Sequence, residues 1–278
     1  MRAARYPTLG YTVATMSGAV ADSRVGSRLE RVLRRDRLII GVVLAVLAAL
    51  SWLQMFAPAA AVPARDGAPL LPCCGARFGV AFLMWVVMMA GMMIPSVAPM
   101  VLTHAAIARR RVASGAPFVS SGLFLAGYLV AWVGFSAAAA FLQGVLFRAA
   151  VLDGRSLAIG PWAGAAVLVA AAMFQLSPAK SACLTQCRAP VGYFMTEWRE
   201  GKMGALIMGL RHGSFCIGCC WLLMAVLFAV GIMNVVWGAV LTAFVVAEKV
   251  LPWRRAVVWS GGAACLAGAI VLIWRAAS

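Results

Sequence analysis

Charge is scarce in this chain, and negative charge scarcest of all. Asp and Glu number 8 against 24 Lys and Arg, and charged residues make up only 12% of the 278. A soluble domain presents charged and polar side chains over most of its surface, and this composition cannot supply them. Histidine is nearly absent, at 2 residues. There is no G-x-x-x-x-G-K-S/T phosphate loop and no H-E-x-x-H helix, so neither nucleotide hydrolysis nor zincin chemistry has its residues. No Ser/His/Asp set stands out among so few polar positions. The chain reads as non-enzymatic, with thiol oxidation-reduction the one enzymatic class left open.

What the chain has instead is apolar sequence in long runs. It is 64% hydrophobic, with a mean hydropathy of +0.95. A membrane span needs about 20 predominantly apolar residues. Stretches that meet this run over residues 38–56, 79–102, 118–147 and 159–176. A further region, 205–250, is too long for one span and breaks at Gly231 to Asn234, and the last stretch covers 256–274. The expected fold is an all-α, polytopic transmembrane helical bundle of about seven spans, with six as the alternative. Residues 38–278 form a single membrane domain on this reading.

Residues 1–37 read as a basic, disordered tail ahead of a retained first helix. The tail holds Arg2, Arg5, Arg24, Arg28, Arg31, Arg34, Arg35 and Arg37 against three acidic residues. It is too long before its apolar stretch for a cleavable signal peptide. Beside a span, such charge fixes orientation and touches anionic lipid, so the N-terminus is expected in the cytosol and no nucleic-acid partner is expected. Loops alternate between heavier and lighter basic content, as an N-terminus-inside bundle requires. Trp52, Trp162, Trp253, Trp259 and Trp274 fall near span ends, where indoles favour the interface.

The 8 cysteines divide unevenly. Cys73 and Cys74 are adjacent in an early loop, and Cys265 is alone in the last span, where a cysteine is ordinarily a small apolar residue. The other five form two groups at the same expected cytosolic end. Cys183 and Cys187 lie in SPAKSACLTQCRAP. There Ser177-Pro178 reads as a cap with proline in the first turn, and Pro190 limits continuation, which predicts a short helix over 178–188. Four residues apart, the two thiols share a face. Cys216, Cys219 and Cys220 lie in HGSFCIGCCW at the start of the fifth span. Thiols in a reducing compartment stay free, and free thiols close together bind soft metals. Two other roles remain open: close helix packing by small residues, and redox cycling at the Cys216/Cys219 spacing.

Further soft donors lie in the second span, where MWVVMMAGMMIPSVAPM carries Met88, Met89, Met92 and Met93. Thioethers suit copper(I) and serve zinc poorly, although methionine is also a flexible core filler. Pro95 and Pro99 free backbone carbonyls that a neighbour or a cavity must satisfy. His212 stands four residues before Cys216, on its face. It can complete a site, as His104 can less directly. Glu248 and Lys249, at the end of the sixth span, are functional candidates as intramembrane ionisable groups. Glu248 is expected to reach the interface, and a helix-end ion pair or lipid contact explains it equally. A short echo pairs Trp85 and Met88 with Trp221 and Met224, as an inverted repeat would.

The segments MWVVMMAGMMIPSVAPM, KSACLTQCRAP and GSFCIGCCWLLM, followed by GIMN and EK, resemble a bacterial family of predicted metal-binding integral membrane proteins. Some of its members are described as copper chaperones. The resemblance covers residues 79–249 and implies metal ligation by Cys183, Cys187, Cys216, Cys219 and Cys220, with Met88, Met89, Met92 and Met93 as the methionine-rich helix. It also implies a multi-pass protein of the bacterial inner membrane. The expected function is holding or delivery of a soft metal, copper(I) before zinc, in concert with a metal donor or acceptor protein. A metal or small-solute transporter, a membrane thiol oxidoreductase and a structural assembly subunit are the alternatives.

Overall fold

The computed structural model describes residues 38–54, 78–153, 157–232 and 234–278. The basic tail, Cys73 and Cys74 lie outside the described residues. The apolar runs are helices: α1 (Leu38–Gln54), α2 (Phe78–Ala113), α3 (Ser121–Arg148), α4 (Pro161–Gln175), α5 (Pro178–Arg188), α6 (Pro190–Glu197), α7 (Gly201–Val230), α8 (Val235–Val250) and α9 (Arg254–Ala277). The described residues form no β-sheet.

Four of these helices, α2, α3, α7 and α9, are long and apolar enough to cross a membrane. A fifth crossing results if α4 and α5, which meet at a bend of 65°, are taken as one broken span. The count from helix length is therefore four or five, below the seven that hydropathy predicts. The reason is local. Asn234 caps α8 through its side chain, which accepts from Trp237 N, and the helix ends before Pro252 after 16 residues. At 1.5 Å per residue that is about 24 Å, short of a hydrocarbon core about 30 Å thick. α1 is also among the shorter helices. Helix geometry carries no orientation, so it leaves the side of the N-terminus open.

Two sequence details explain the core. Pro95 lies inside α2 and cannot donate to the carbonyl of Gly91. Trp52 of α1 fills the gap, donating Nε1 to Gly91 O at 3.3 Å. The helix therefore continues through both prolines. α7 packs against α3, α4, α5 and α8, and glycines set its approach to α3. A Cβ on Gly209 would fall 1.9 Å from Phe124 O, and one on Gly127 would fall 2.1 Å from Leu206 O. Small residues of this kind let membrane helices meet backbone to backbone. The break between α7 and α8 falls where the sequence places it, at Gly231, whose φ of +100° is a conformation few other residues accept.

Pro190 follows the end of α5 at Arg188, as expected, and also opens a second helix. It occupies the first turn of α6, where a missing N–H costs nothing. Of the residues in the repeat echo, Met88 and Met224 are both buried, while the two tryptophans differ. Trp85 is fully buried and donates to Gln143 Oε1 at 2.7 Å, whereas Trp221 is 45% exposed.

The α3–α7 contact predicts opposite outcomes for two glycines. Gly209→Val forces backbone apart and is expected to destabilise by about 3 kcal/mol or more. A Cβ added to Gly134 of α3 would meet nothing within 4 Å, so Gly134→Ala is expected to be neutral or to stabilise by up to about 1 kcal/mol. Unfolding of both variants in detergent, followed by circular dichroism, measures the difference.

Candidate metal centre

The centre is assembled by α5, α7 and α8, with α2 and α3 closing it. Ser177 caps α5, its hydroxyl accepting from Lys180 N at 3.2 Å, and Pro178 sits in the first turn. The helix runs Pro178–Arg188, the bounds the sequence predicts. Its buried face carries Lys180, Leu184 and Cys187. α7 continues well N-terminal to Cys216, so the second cysteine group lies near the middle of this helix and not at its start. It remains close to the charged end of the bundle, because Arg211 pairs with Glu197 of α6 at 2.5 Å about one and a half turns earlier.

The Sγ atoms of Cys216, Cys219 and Cys220 all lie within 4.8 Å of one another, and all three residues are buried. Three sulfurs each about 2.3 Å from one ion stand about 4 Å apart, so small χ1 adjustments bring the three together. The thiols of Cys219 and Cys220 both donate to Cys216 O, at 3.0 and 2.9 Å. These three sulfurs are the donor set that the fold gathers. Cys187 is buried in the same core on α5, which packs against α7. Cys183 is half-buried at its edge, with Sγ 3.0 Å from where a Cβ of Gly218 would stand.

Cys216 has a further environment that sequence reasoning missed. Lys249 of α8 donates Nζ to Cys216 Sγ at 3.0 Å and to Ser96 Oγ of α2 at 3.0 Å. The hydroxyl of Tyr128, on α3, lies 3.2 Å from the same sulfur and 3.4 Å from Ser96 Oγ. Ser96 and Tyr128 both donate to Met93 O. Thus Met93 belongs to the hydrogen-bonded surround of the site. Met88, Met89 and Met92 are fully buried in the main core. His212 precedes Cys216 by one turn, packed by Phe124, Tyr128 and Tyr193, with a buried Nδ1 that has no hydrogen-bond partner among the described residues. His104 lies apart, stacked with Phe124 and Trp198 and bonded through Nδ1 to Ser121 Oγ at 2.8 Å.

Glu248 and Lys249 are both buried inside the bundle, and Glu248 makes the helix-end ion pair that the sequence allows. Glu248 is 1% exposed and Lys249 8%. Glu248 forms a buried ion pair with Lys180 at 2.9 Å and accepts from Gln175, whose own oxygen accepts from Lys180 at 2.5 Å. Arg188 caps the end of α8 by donating to the carbonyls of Glu248 and Leu251. The signal was present in the sequence: a lysine and a glutamate at the end of an apolar helix must each find a partner. Cys265 lines an apolar groove between α4, α7, α8 and α9, apart from the other thiols.

These features define an all-helical protein of long apolar helices with a buried group of thiols whose chemistry suits a soft metal. A family model described as copper chaperone (PpoB2) matches residues 82–272, from within α2 into α9. The chain belongs to this copper chaperone family. No curated protein and no solved structure matches it.

The Lys180–Glu248 pair yields a stability prediction. Removing one partner leaves a buried charge uncompensated, so Lys180→Met is expected to cost about 3–5 kcal/mol. The double variant Lys180→Met/Glu248→Leu is expected to recover most of that loss. Detergent unfolding of the two single variants and the double variant gives the coupling between them.

Proposed function

We propose that this protein is an integral membrane protein that binds copper(I) at Cys216, Cys219 and Cys220, with Cys187 as the fourth thiol, and holds the ion for delivery. The observation that carries the reading is the buried three-sulfur group on α7, in a chain of the copper chaperone family. Soft thiolates favour copper(I) and zinc, and the buried methionines of α2, the helix whose Ser96 shares Lys249 with Cys216, tilt the preference towards copper. His212, with its unpartnered Nδ1, is the substitute ligand. Cys183 is an outlying thiol that receives or passes on the ion. The role is non-catalytic.

On this reading the chain crosses the inner membrane of a bacterium with its N-terminus in the cytosol. Seven crossings include α1 and α8 as short spans, around which the bilayer thins. The thiol end then faces the cytosol, and the basic tail rests on anionic lipid. The protein partner is a metal donor or acceptor; nucleic acid is not a partner.

A transport reading has one observation in its favour. Met208, His212, Cys216, Cys220 and Met224 occupy successive fourth positions of α7 and are all buried. They make a ridge of soft donors along the helix. Uptake of copper(I) into sealed vesicles separates transport from holding, and a redox-dependent thiol count isolates an oxidoreductase cycling Cys216 and Cys219.

Elemental analysis of anaerobically purified protein tests the main reading. About one copper per chain is expected, lost in Cys216→Ser/Cys219→Ser and kept in Cys265→Ser. If the folded protein takes up neither copper(I) nor zinc on reconstitution, the thiols have a packing or redox role and the proposal fails.

A further inference from the structure

We infer that Lys249 sets the charge preference of the thiol site, favouring a monovalent soft metal over a divalent one. The inference rests on the metal-binding reading of Cys216 and deepens it. Nζ of Lys249 lies 3.0 Å from Cys216 Sγ, and its other hydrogen bond goes to a neutral hydroxyl, Ser96 Oγ. The neighbouring carboxylate, Glu248, is engaged with Lys180 and Gln175. The ammonium therefore has no direct carboxylate partner among the described residues, and it is aimed at the sulfur of Cys216.

A metal–thiolate bond is about 2.3 Å long, so an ion on Cys216 Sγ lies within roughly 5.3 Å of Nζ. At that separation in a buried site the repulsion between ammonium and metal is substantial, and it doubles when the metal carries two charges. Three thiolates attract a divalent ion more strongly than a monovalent one, and on donor chemistry alone zinc binds such a group well. Lys249 opposes that advantage at the sulfur it touches. It also positions Cys216: the hydrogen bond from Nζ and the Tyr128 hydroxyl at 3.2 Å hold the sulfur from the α8 and α3 sides. Lys249 is thus a positioning and specificity residue, not a ligand.

Loss of the lysine acts on every metal alike where it changes how readily Cys216 gives up its proton, because each ion displaces that same proton. The ratio of two affinities cancels this common part and retains the part that depends on metal charge. The experiment is therefore a ratio: copper(I) and zinc(II) affinities of the full chain in detergent, each measured by competition with a chromophoric chelator. Wild type is compared with Lys249→Met, Lys249→Gln and Lys249→Arg.

Both neutral variants are expected to shift the ratio towards zinc by about tenfold or more, and Lys249→Arg to stay within about threefold of wild type. Lys249→Gln keeps a donor for Ser96 and serves if the methionine variant does not fold. An unmoved ratio in a neutral variant that still binds copper(I) overturns this inference and leaves the proposed function standing. Failure of the wild type to bind either ion overturns both.

Discussion

Two neighbouring residues at the end of α8 impose the constraint on which the rest of the bundle depends. Glu248 and Lys249 are both buried, and a buried charge is tolerated only when paired and hydrogen-bonded. Because they are adjacent on a helix, they leave it in different directions and recruit different partners. Glu248 draws in Lys180 from α5 and Gln175 from α4. Lys249 draws in Cys216 from α7 and Ser96 from α2. One dipeptide thus ties five helices together at the level of the thiols. Arg188 reinforces the join by capping the last carbonyls of α8 from α5, and this fixes α5 in the place from which Cys187 reaches α7.

The close approach of α7 to α3 serves the same level. Gly209 and Gly127 bring the two backbones together, which places Tyr128 against Cys216 and His212. Gly218 does the same on the α5 side, leaving room for Cys183 Sγ. The three gathered thiols lie on one continuous helix, so their spacing is set by i, i+3 and i+4 geometry and by little else. α5 packs against that helix and carries Cys187, buried in the same core.

Much of this is legible in the sequence, for identifiable reasons. Ser177-Pro178 marks the start of α5, and Gly231 with Asn234 marks the corner between α7 and α8, because caps and left-handed turns are local chemistry. The grouping of Cys216, Cys219 and Cys220 follows from their i, i+3 and i+4 spacing on one helix. Three things are not legible. Hydropathy counts apolar residues but not where a helix ends, so it makes α8 a full span when its caps make it short. Pro190 signals a break and equally a start, and only the packing of Tyr193 and Phe194 selects the start. The partner of Lys249 is a tertiary fact, spread over α2, α7 and α8, and no spacing in the chain encodes it.

Burial of the thiols follows a gradient. Cys183 is half-buried, Cys187 is 6% exposed and Cys216 fully buried. A site of this shape imposes different demands along its depth. At the edge an incoming ion exchanges ligands with water or a partner, which needs access. In the interior, water no longer competes, so thiolates hold a soft ion tightly but their accumulated negative charge is costly to bury. The ammonium of Lys249 lies at Cys216, one of the fully buried thiols, where that cost is high. A positive group there offsets the charge of the donors without adding a ligand of its own. The conflict between burying thiolates and needing them charged is thereby met by a side chain that hydropathy alone would assign to the lipid headgroups.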